Sequence, residues 1–102
     1  MYKEIKVLTG KQRSYLRSLA NALEPIFQVG KGGVGPNTIK QFDDALEARE
    51  IVKATVLKNA LADTQDICRE ISEKTNSEIV QVIGSKFVLY RESKDNRLID
   101  LP

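Results

Sequence analysis

Four glycines stand within residues 30–35, and this cluster constrains the fold of the chain more than any other feature of its sequence. Glycine loses more conformational freedom on ordering than any other residue, so a helix or a central strand does not readily form through such a cluster. Residues 25–29, which are apolar except for Gln28, precede it and have the length of a short strand. Pro36 follows it and suits the first position of a helix, where the N–H that proline lacks would have no partner anyway. The sequence therefore predicts a strand, a glycine loop and a helix in direct succession.

A first helix is predicted before this strand. Thr9 and Gln12 have the spacing of a capping box, in which two side chains satisfy backbone N–H groups at the start of a helix. The helix must end by Glu24, because Pro25 disfavours helical geometry in the residue before it. Its apolar face recurs with helical spacing and consists of Leu16, Leu19, Ala20 and Leu23.

Two further helices have similar signals. The one that begins at Pro36 ends where residues 51–57 start a β-branched strand. The last begins at Asp63 and Asp66, which cap and charge its first turn, and it ends at Asn76, a residue that tolerates left-handed backbone. The apolar faces of these two helices consist of Ile39, Phe42, Leu46, Ile67, Cys68, Ile71 and Thr75.

The chain closes with two strands, residues 78–83 and 86–91, which Gly84-Ser85 joins as a two-residue hairpin. The order of elements is thus α-β-α-β-α-β-β. Alternating strands and helices predict parallel pairing of the earlier strands, followed by an antiparallel hairpin. We expect a two-layer α/β (α+β) fold in which the helices pack against a four-stranded mixed sheet. We also expect a single domain, residues 1–102, with its core in residues 8–91 and a tail, residues 92–102, that no pattern assigns.

The composition narrows the possible functions. With one cysteine and no histidine, the chain has no Ser-His or Cys-His pair and no usual zinc site. Cys68 is predicted to be a core side chain. No apolar run approaches the roughly 20 residues of a membrane helix, and the charged N-terminus lacks the apolar stretch of a secretory signal. We expect a cytoplasmic monomer without a metal or a cofactor.

The net charge of +2 is unevenly distributed along the sequence. Residues 1–40 have a net charge of +5, and residues 41–102 have a net charge of −3. Such asymmetry is typical of a protein with one face for an anionic partner. The basic side chains of the first part are Lys3, Lys6, Lys11, Arg13, Arg17, Lys31 and Lys40.

Three phosphate-binding devices place a glycine loop between a strand and a helix. The spacing Gly30-x-Gly32-x-x-Gly35 matches the dinucleotide fingerprint, but the next strand ends in Leu57-Lys58-Asn59 without the acidic residue that would hold a ribose. A nucleoside-triphosphate loop needs Lys and then Ser or Thr after its last glycine, where this chain has Pro36-Asn37. The third device, the GxxG clamp of KH-type RNA-binding proteins, fits residues 30–33. A glycine turn without a ligand is the alternative that the local sequence leaves open.

Six ordered motifs cover about residues 8–91: Leu8-Thr-Gly-Lys-Gln-Arg, Tyr15-Leu-Arg, Val29-Gly-Lys-Gly-Gly33, Ala45-Leu-Glu-Ala-Arg-Glu50, Val80-Gln-Val-Ile-Gly84 and Val88-Leu-Tyr-Arg91. Together they resemble the CRM domain (chloroplast RNA splicing and ribosome maturation) in its YhbY-like form, which stands alone in bacteria. Gly10 and the ending, residues 98–102, depart from the pattern of that family. Neither departure affects the glycine loop.

The resemblance implies a fold similar to the C-terminal domain of bacterial translation initiation factor three. It also implies RNA binding by the GxxG loop and neighbouring basic residues, and association with the precursor of the large ribosomal subunit as an assembly factor. A protein of this kind grips RNA and catalyses no reaction. The residues that we predict to contact RNA are Gly30, Lys31, Gly32, Gly33, Lys11, Arg13 and Arg17.

Four carboxylates on and after the second helix leave another function open. Asp43, Asp44, Glu47 and Glu50 are of the type that binds catalytic metal ions, as in a metal-dependent nuclease. We favour an acidic solvent face in which Glu50 pairs with a nearby Lys or Arg, because no general base or nucleophile accompanies the acids. A protein-interaction module on the ribosome is a third function, and it predicts a large exposed apolar patch.

The sequence also predicts the positions of several single side chains. Tyr15 and Tyr90 are expected to be partly exposed and able to stack on bases. Lys53 alternates with Val52 and Ala54, so it should point to the opposite side of the sheet from them. The core is predicted to include the phenylalanines Phe27, Phe42 and Phe87.

Overall fold

The computed structural model of the protein describes residues 8–102. Two basic side chains of the N-terminal part, Lys3 and Lys6, lie outside the described residues. None of the helices between residues 8 and 102 combines the length and the apolar character that crossing a membrane requires. The elements follow the predicted order and are α1 (Gly10–Ala20), β1 (Phe27–Val29), α2 (Pro36–Arg49), β2 (Ile51–Val56), α3 (Thr64–Thr75), β3 (Glu78–Ile83) and β4 (Lys86–Tyr90).

The predicted helix ends are confirmed. The Oγ1 of Thr9 accepts the N–H of Gln12, and the Oε1 of Gln12 accepts the N–H of Thr9, each at 3.1 Å. At the start of α3 the carboxylate of Asp63 accepts the N–H of Asp66 at 2.8 Å. Asn76 ends that helix in the left-handed conformation, with φ 55° and ψ 42°.

The sheet is mixed, as predicted, with the strand order β1-β2-β4-β3. β1 and β2 are parallel, whereas β4 is antiparallel to both β2 and β3. The hairpin between β3 and β4 turns at Gly84, whose φ of 58° lies in the left-handed region that favours glycine. The ends of β1 and β2 and the β3–β4 turn therefore lie at one end of the sheet, which we call the loop end because the glycine loop follows β1 there.

The three helices pack against the four-stranded sheet, as predicted, and they lie on both of its faces. Strand alternation separates the faces: Phe87 and Leu89 of β4 belong to one core, and Val88 and Tyr90 belong to the other. α2 and α3 cover the first face, with Phe42, Leu46, Ile67, Cys68 and Ile71 in its core. α1 covers part of the second face, where its core residues are Leu16 and Ala20.

The C-terminal tail, which no sequence pattern assigned, is held by two carboxylates at the end of α2. Glu50 is fully buried, and its carboxylate accepts the N–H groups of Ser93, Leu98 and Ile99, each at 2.7 Å. Glu47 accepts the hydroxyl of Ser93 at 2.6 Å. The same carboxylate accepts the N–H groups of Lys94 and Asp95 at 3.1 and 3.2 Å. Ile99 and Leu101 then pack against the core under α1.

Candidate nucleic-acid interface

The glycine loop is an open turn between β1 and α2. The N–H of Gly33 donates to the carbonyl of Gly30 at 3.0 Å and closes the turn, and Gly33 has a φ of 67° that side chains rarely adopt. Lys31 and Gly32 at its tip are exposed. A Cβ added at Gly32 would meet no other atom within 4 Å, so the outer side of the loop faces free space.

Most N–H groups of this loop are not used within the described part of the chain. The N–H of Gly35 donates to Thr38 Oγ1 at 3.3 Å, and that of Gly33 closes the turn. The N–H groups of Lys31, Gly32 and Val34 have no acceptor among residues 8–102. The first turn of α2 adds two more, on Asn37 and Thr38, because Gly35 at the N-cap offers no side-chain acceptor. Neighbouring amides without an acceptor, with the positive end of a helix dipole behind them, favour an anion.

The inner side of the loop packs against the segment after β2. The N–H of Leu57 donates to the carbonyl of Val29 at 2.8 Å. A Cβ on Gly30 would lie 3.1 Å from Asn59 Oδ1 and 3.2 Å from Leu57 Cδ1. Glycine at position 30 thus allows the two loops to approach closely, and the position of the GxxG turn is fixed by β2 as well as by β1.

The structure separates the predicted contact residues into two groups. Lys31 lies in the glycine loop beyond β1, whereas the guanidinium of Arg13 donates to the carbonyl of Ile79 in β3, at the other edge of the sheet. Three strand spacings of about 4.8 Å place these edges about 14 Å apart. Lys11 is exposed in the first turn of α1, and Arg17 is half-buried one turn after Arg13. A single phosphate therefore does not contact both groups.

The charged side chains of the two sheet faces differ in their partners. Among residues 8–102, every recorded ion pair involves α2, α3 or Arg91: Lys40 with Asp44, Arg69 with Asp66, Lys74 with Glu70, and Arg91 with Asp43 and Glu47. None of the predicted contact residues Lys11, Arg13, Arg17 and Lys31 forms an ion pair with a described carboxylate. Within residues 8–102, no carboxylate neutralises these cations.

The prediction of an acidic solvent face on α2 was wrong for Glu50. This side chain is buried and accepts backbone N–H groups of the tail instead of pairing with Lys or Arg. Glu47 is also occupied by the tail, and Asp43 pairs with Arg91 at 2.5 Å. Within residues 8–102 no group of three or more acidic, Cys or His side chains is arranged to hold a metal ion. The carboxylates proposed for a nuclease thus have structural partners.

Two predictions about single side chains were confirmed and one was wrong. Tyr15 is 39% exposed, as expected, and Cys68 is fully buried, where desolvation raises the pKa of its thiol to about 12. Tyr90 is only 5% exposed and cannot stack on a base. Desolvation, with the nearby carboxylates of Glu50 and Glu92, raises the pKa of its phenol to about 12. Its place in the alternating pattern of β4, with Val88, is the signal that should have assigned it to the core.

Other candidate residues were not selected from the sequence. Lys53 points away from Val52 and Ala54, as predicted, and its ammonium donates to the carbonyls of Ala20 and Leu23 at 3.3 Å each. It therefore lies on the α1 side of the sheet, where Lys86 is exposed as well. The alternation within β2 and β4 was the signal that Lys53 and Lys86 share this face. Its use required knowledge of which strands are neighbours.

Comparison with known proteins shows what the chain is similar to. A probable RNA-binding protein of Bacillus subtilis, YqeI, is 53% identical over 96 residues, which are 94% of this chain and all of that protein. A protein of Haemophilus influenzae named RNA-binding protein is 33% identical over 93% of this chain and 95% of its own length. The solution structure of the hypothetical protein SAV1595 from Staphylococcus aureus superimposes with a TM-score of 0.77 at 57% identity, covering 94% of this chain and all of that one.

The model of one protein family also matches most of the sequence. It is that of the CRS1 / YhbY (CRM) domain, and the match extends over residues 8–91. This range begins just before α1, ends just after β4 and includes the whole glycine loop. The chain therefore belongs to the CRS1/YhbY (CRM) domain family.

Proposed function

We propose that the protein is a non-enzymatic RNA-binding protein that grips the phosphate backbone with its glycine loop. The observation that carries this proposal is the set of amides at the loop and at the start of α2 that have no acceptor among residues 8–102, with the exposed Lys31 at the tip of the loop. Amides and a cation arranged in this way bind a phosphodiester without regard to base identity. The names of the relatives, which are RNA-binding proteins, support the same partner.

The mechanism is positioning. The amides of the loop hold one phosphate, and Lys31 adds a positive charge on the solvent side. Arg13, Arg17 and Lys11 bind further phosphates along α1. Because the two groups lie near opposite edges of the sheet, the ligand is an RNA segment of several nucleotides and not a mononucleotide.

We further propose that the RNA is ribosomal RNA in the precursor of the large ribosomal subunit, and that the protein acts there in the cytoplasm as a monomeric assembly factor. This part rests on the resemblance of the chain to the stand-alone bacterial members of its family. The test is sedimentation of a cell extract through a sucrose gradient. The protein is expected with precursor large subunits, and its absence from every ribosomal fraction would contradict the assembly role while leaving RNA binding untouched.

Salt dependence of binding tests the glycine loop directly. Lys31→Ala is expected to weaken binding of all RNA sequences alike, and to lower the slope of log affinity against log salt by about 0.7, the contribution of one phosphate contact with a single strand. Lys74→Ala is the matched control, because Lys74 lies on α3 and pairs with Glu70 at 2.8 Å. An unchanged slope in Lys31→Ala would remove Lys31 from the site. A wild-type protein that shows weak salt dependence would favour the protein-interaction module.

A further inference from the structure

The sheet face under α1 is exposed near its loop end, at Gln28, Ile83 and Lys86. Paired residues lie side by side on one face, and the strand registers define a row of four residues across the sheet near its loop end. Another row, nearer to α1, joins Lys53, Val88 and Gln81. The first row consists of Gln28, Thr55, Lys86 and Ile83. We call the first row, together with Lys53 and Gln81 of the second, the open sheet face, whereas Val88 between them is buried in the core under α1.

The open sheet face contains a small cavity at its border with α1. The cavity has a volume of about 150 Å³ and is lined by Asn21, Lys53, Gln81, Ile83, Lys86 and Val88. This is about half of the roughly 300 Å³ at which sites for drug-sized ligands begin, so it admits a single flat ring system. Its wall is apolar mainly at Ile83, which is 63% exposed, since Val88 is only 1% exposed. Such a wall suits the face of an unstacked base.

The polar groups of the cavity are of the kind that reads a base edge. The side-chain amides of Asn21 and Gln81 have no hydrogen-bond partner among residues 8–102, and each offers both donors and an acceptor. Lys53 uses two of its three N–H donors on the carbonyls of Ala20 and Leu23, which leaves one for a ligand. Lys86 forms no ion pair with a described residue.

The charge of this cavity distinguishes it from the larger one near the tail. That cavity, of about 320 Å³, is lined by the four carboxylates of Asp43, Asp44, Glu47 and Asp95 and by the two cations Arg91 and Lys94. Its lining is therefore negatively charged overall and repels a phosphate backbone, so its greater volume does not favour it as the RNA site. The cavity on the open sheet face is lined by two lysines and by no carboxylate.

The open sheet face lies between the two groups of predicted phosphate contacts. Gln28 in its first row is two residues before Gly30 of the glycine loop. Asn21 is one helical turn after Arg17 and two turns after Arg13, on the same side of α1. On these grounds, and given the RNA binding proposed above, we propose that single-stranded RNA crosses the open sheet face from the glycine loop to α1, with one unpaired nucleotide in the cavity.

Fluorescence anisotropy with two RNAs tests the proposal. The probes are a labelled single strand of about 12 nucleotides, within the usual range of sites for single strands, and a blunt duplex of the same sequence. The double variant Gln81→Ala/Ile83→Ala is expected to bind the single strand about threefold to tenfold more weakly, the loss from one neutral hydrogen bond. Its salt slope should equal that of the wild type, because neither side chain is charged. Lys86→Ala should instead lower the slope by about 0.7.

The controls separate this inference from the proposed function. Gln41→Ala and Lys40→Ala change the same residue types on α2, where Gln41 is exposed and Lys40 pairs with Asp44. If the wild type binds RNA, Lys31→Ala weakens it and the double variant binds the single strand like the wild type, the inference is wrong and the proposed function stands. Equal losses for the single strand and the duplex would also overturn it, because a duplex cannot enter the cavity. If the wild type binds neither RNA, the proposed function itself fails.

Discussion

The two ends of α2 differ in whether the backbone N–H groups beside them have acceptors. At its C-terminal end, Glu47 and Glu50 accept five backbone N–H groups of the tail and the hydroxyl of Ser93. At its N-terminal end, the amides of the glycine loop and of the first helical turn meet no acceptor among residues 8–102, apart from those of Gly33 and Gly35. The same chemical group therefore has acceptors within the chain at one end and has none among residues 8–102 at the other.

This difference indicates what makes a loop a binding site. Clustered amides attract an anion, and the tail obtains its anion from two glutamates of its own chain, so it folds back and closes. The glycine loop has no carboxylate within its turn, and its tip carries Lys31. An anion bound there would come from outside the chain. On the function proposed above, the RNA site consists of amides that have no internal carboxylate.

Removal of the internal anion should have the largest effect of any single change at these two ends. Glu50→Ala leaves the buried N–H of Ser93 and the half-buried N–H groups of Leu98 and Ile99 without their acceptor, and a buried unsatisfied group costs about 1–3 kcal/mol. We expect the free energy of unfolding in urea to fall by about 3–5 kcal/mol, a large part of the roughly 5–15 kcal/mol of a domain. A loss below about 1 kcal/mol would mean that the tail amides do not depend on this carboxylate.

A second substitution at the same position distinguishes the contribution of the carboxylate to stability from that of the backbone conformation. Glu50 has a φ of 68°, which lies in the region that glycine adopts readily and other residues do not. Glu50→Gly should therefore be about 1 kcal/mol more stable than Glu50→Ala, yet still well below the wild type. If Glu50→Gly equalled the wild type, the relief of backbone strain would offset the lost hydrogen bonds in full, and the carboxylate would contribute only about 1 kcal/mol to stability.

A carboxylate introduced into the glycine loop should give its amides an internal anion, as Glu47 and Glu50 do for the tail. Gly32→Asp has free space around its Cβ and no positive φ to accommodate, so the fold should be retained. The new charge lies where we place a phosphate, and two unit charges 4 Å apart repel by about 1 kcal/mol in water and about 4 kcal/mol near a protein surface. Binding of single-stranded RNA, measured by anisotropy, should weaken at least about fivefold. Gln65→Asp, an equally exposed site on α3, is the control, and an equal loss there would indicate a general charge effect.

The sequence predicted the N-terminal end of α2, with the glycine loop, better than its C-terminal end, with the tail, for a physical reason. The signals at the N-terminal end are local: the glycines, Pro36 and the preceding strand lie within a dozen residues, and turn and cap preferences act over such distances. Glu50 is hydrogen-bonded to residues 43–49 positions further along the chain. No local pattern predicts such contacts, since they depend on where the whole tail packs. Glu50 was accordingly assigned to a solvent face.

The sequence predicted the open sheet face less well than the N-terminal end of α2 and better than its C-terminal end. The alternation of β2 predicted correctly that Lys53 points away from Val52 and Ala54. That Lys86 of β4 lies beside Thr55 of β2 depends on the strand order β1-β2-β4-β3, which the sequence did not specify. Local periodicity thus predicts to which face a side chain points, and tertiary structure decides which side chains become neighbours.

The smallest effect is expected from the outer of the two glutamates, and it depends on pH. The hydroxyl of Ser93 and the N–H groups of Lys94 and Asp95 hold the pKa of Glu47 below its ordinary value of 4.5. A carboxyl whose pKa is lowered by folding contributes stability above its unfolded pKa, and this contribution is lost as the pH falls through the folded value. The difference in free energy of unfolding between the wild type and Glu47→Gln should therefore be largest near pH 7 and shrink below pH 4.5. Urea titrations across this range measure it, with Glu73→Gln on α3 as the control for loss of one negative charge. A difference that stays constant with pH would show that Glu47 holds the tail equally well when it is protonated. The C-terminal end of α2 would then not depend on the charge of this side chain.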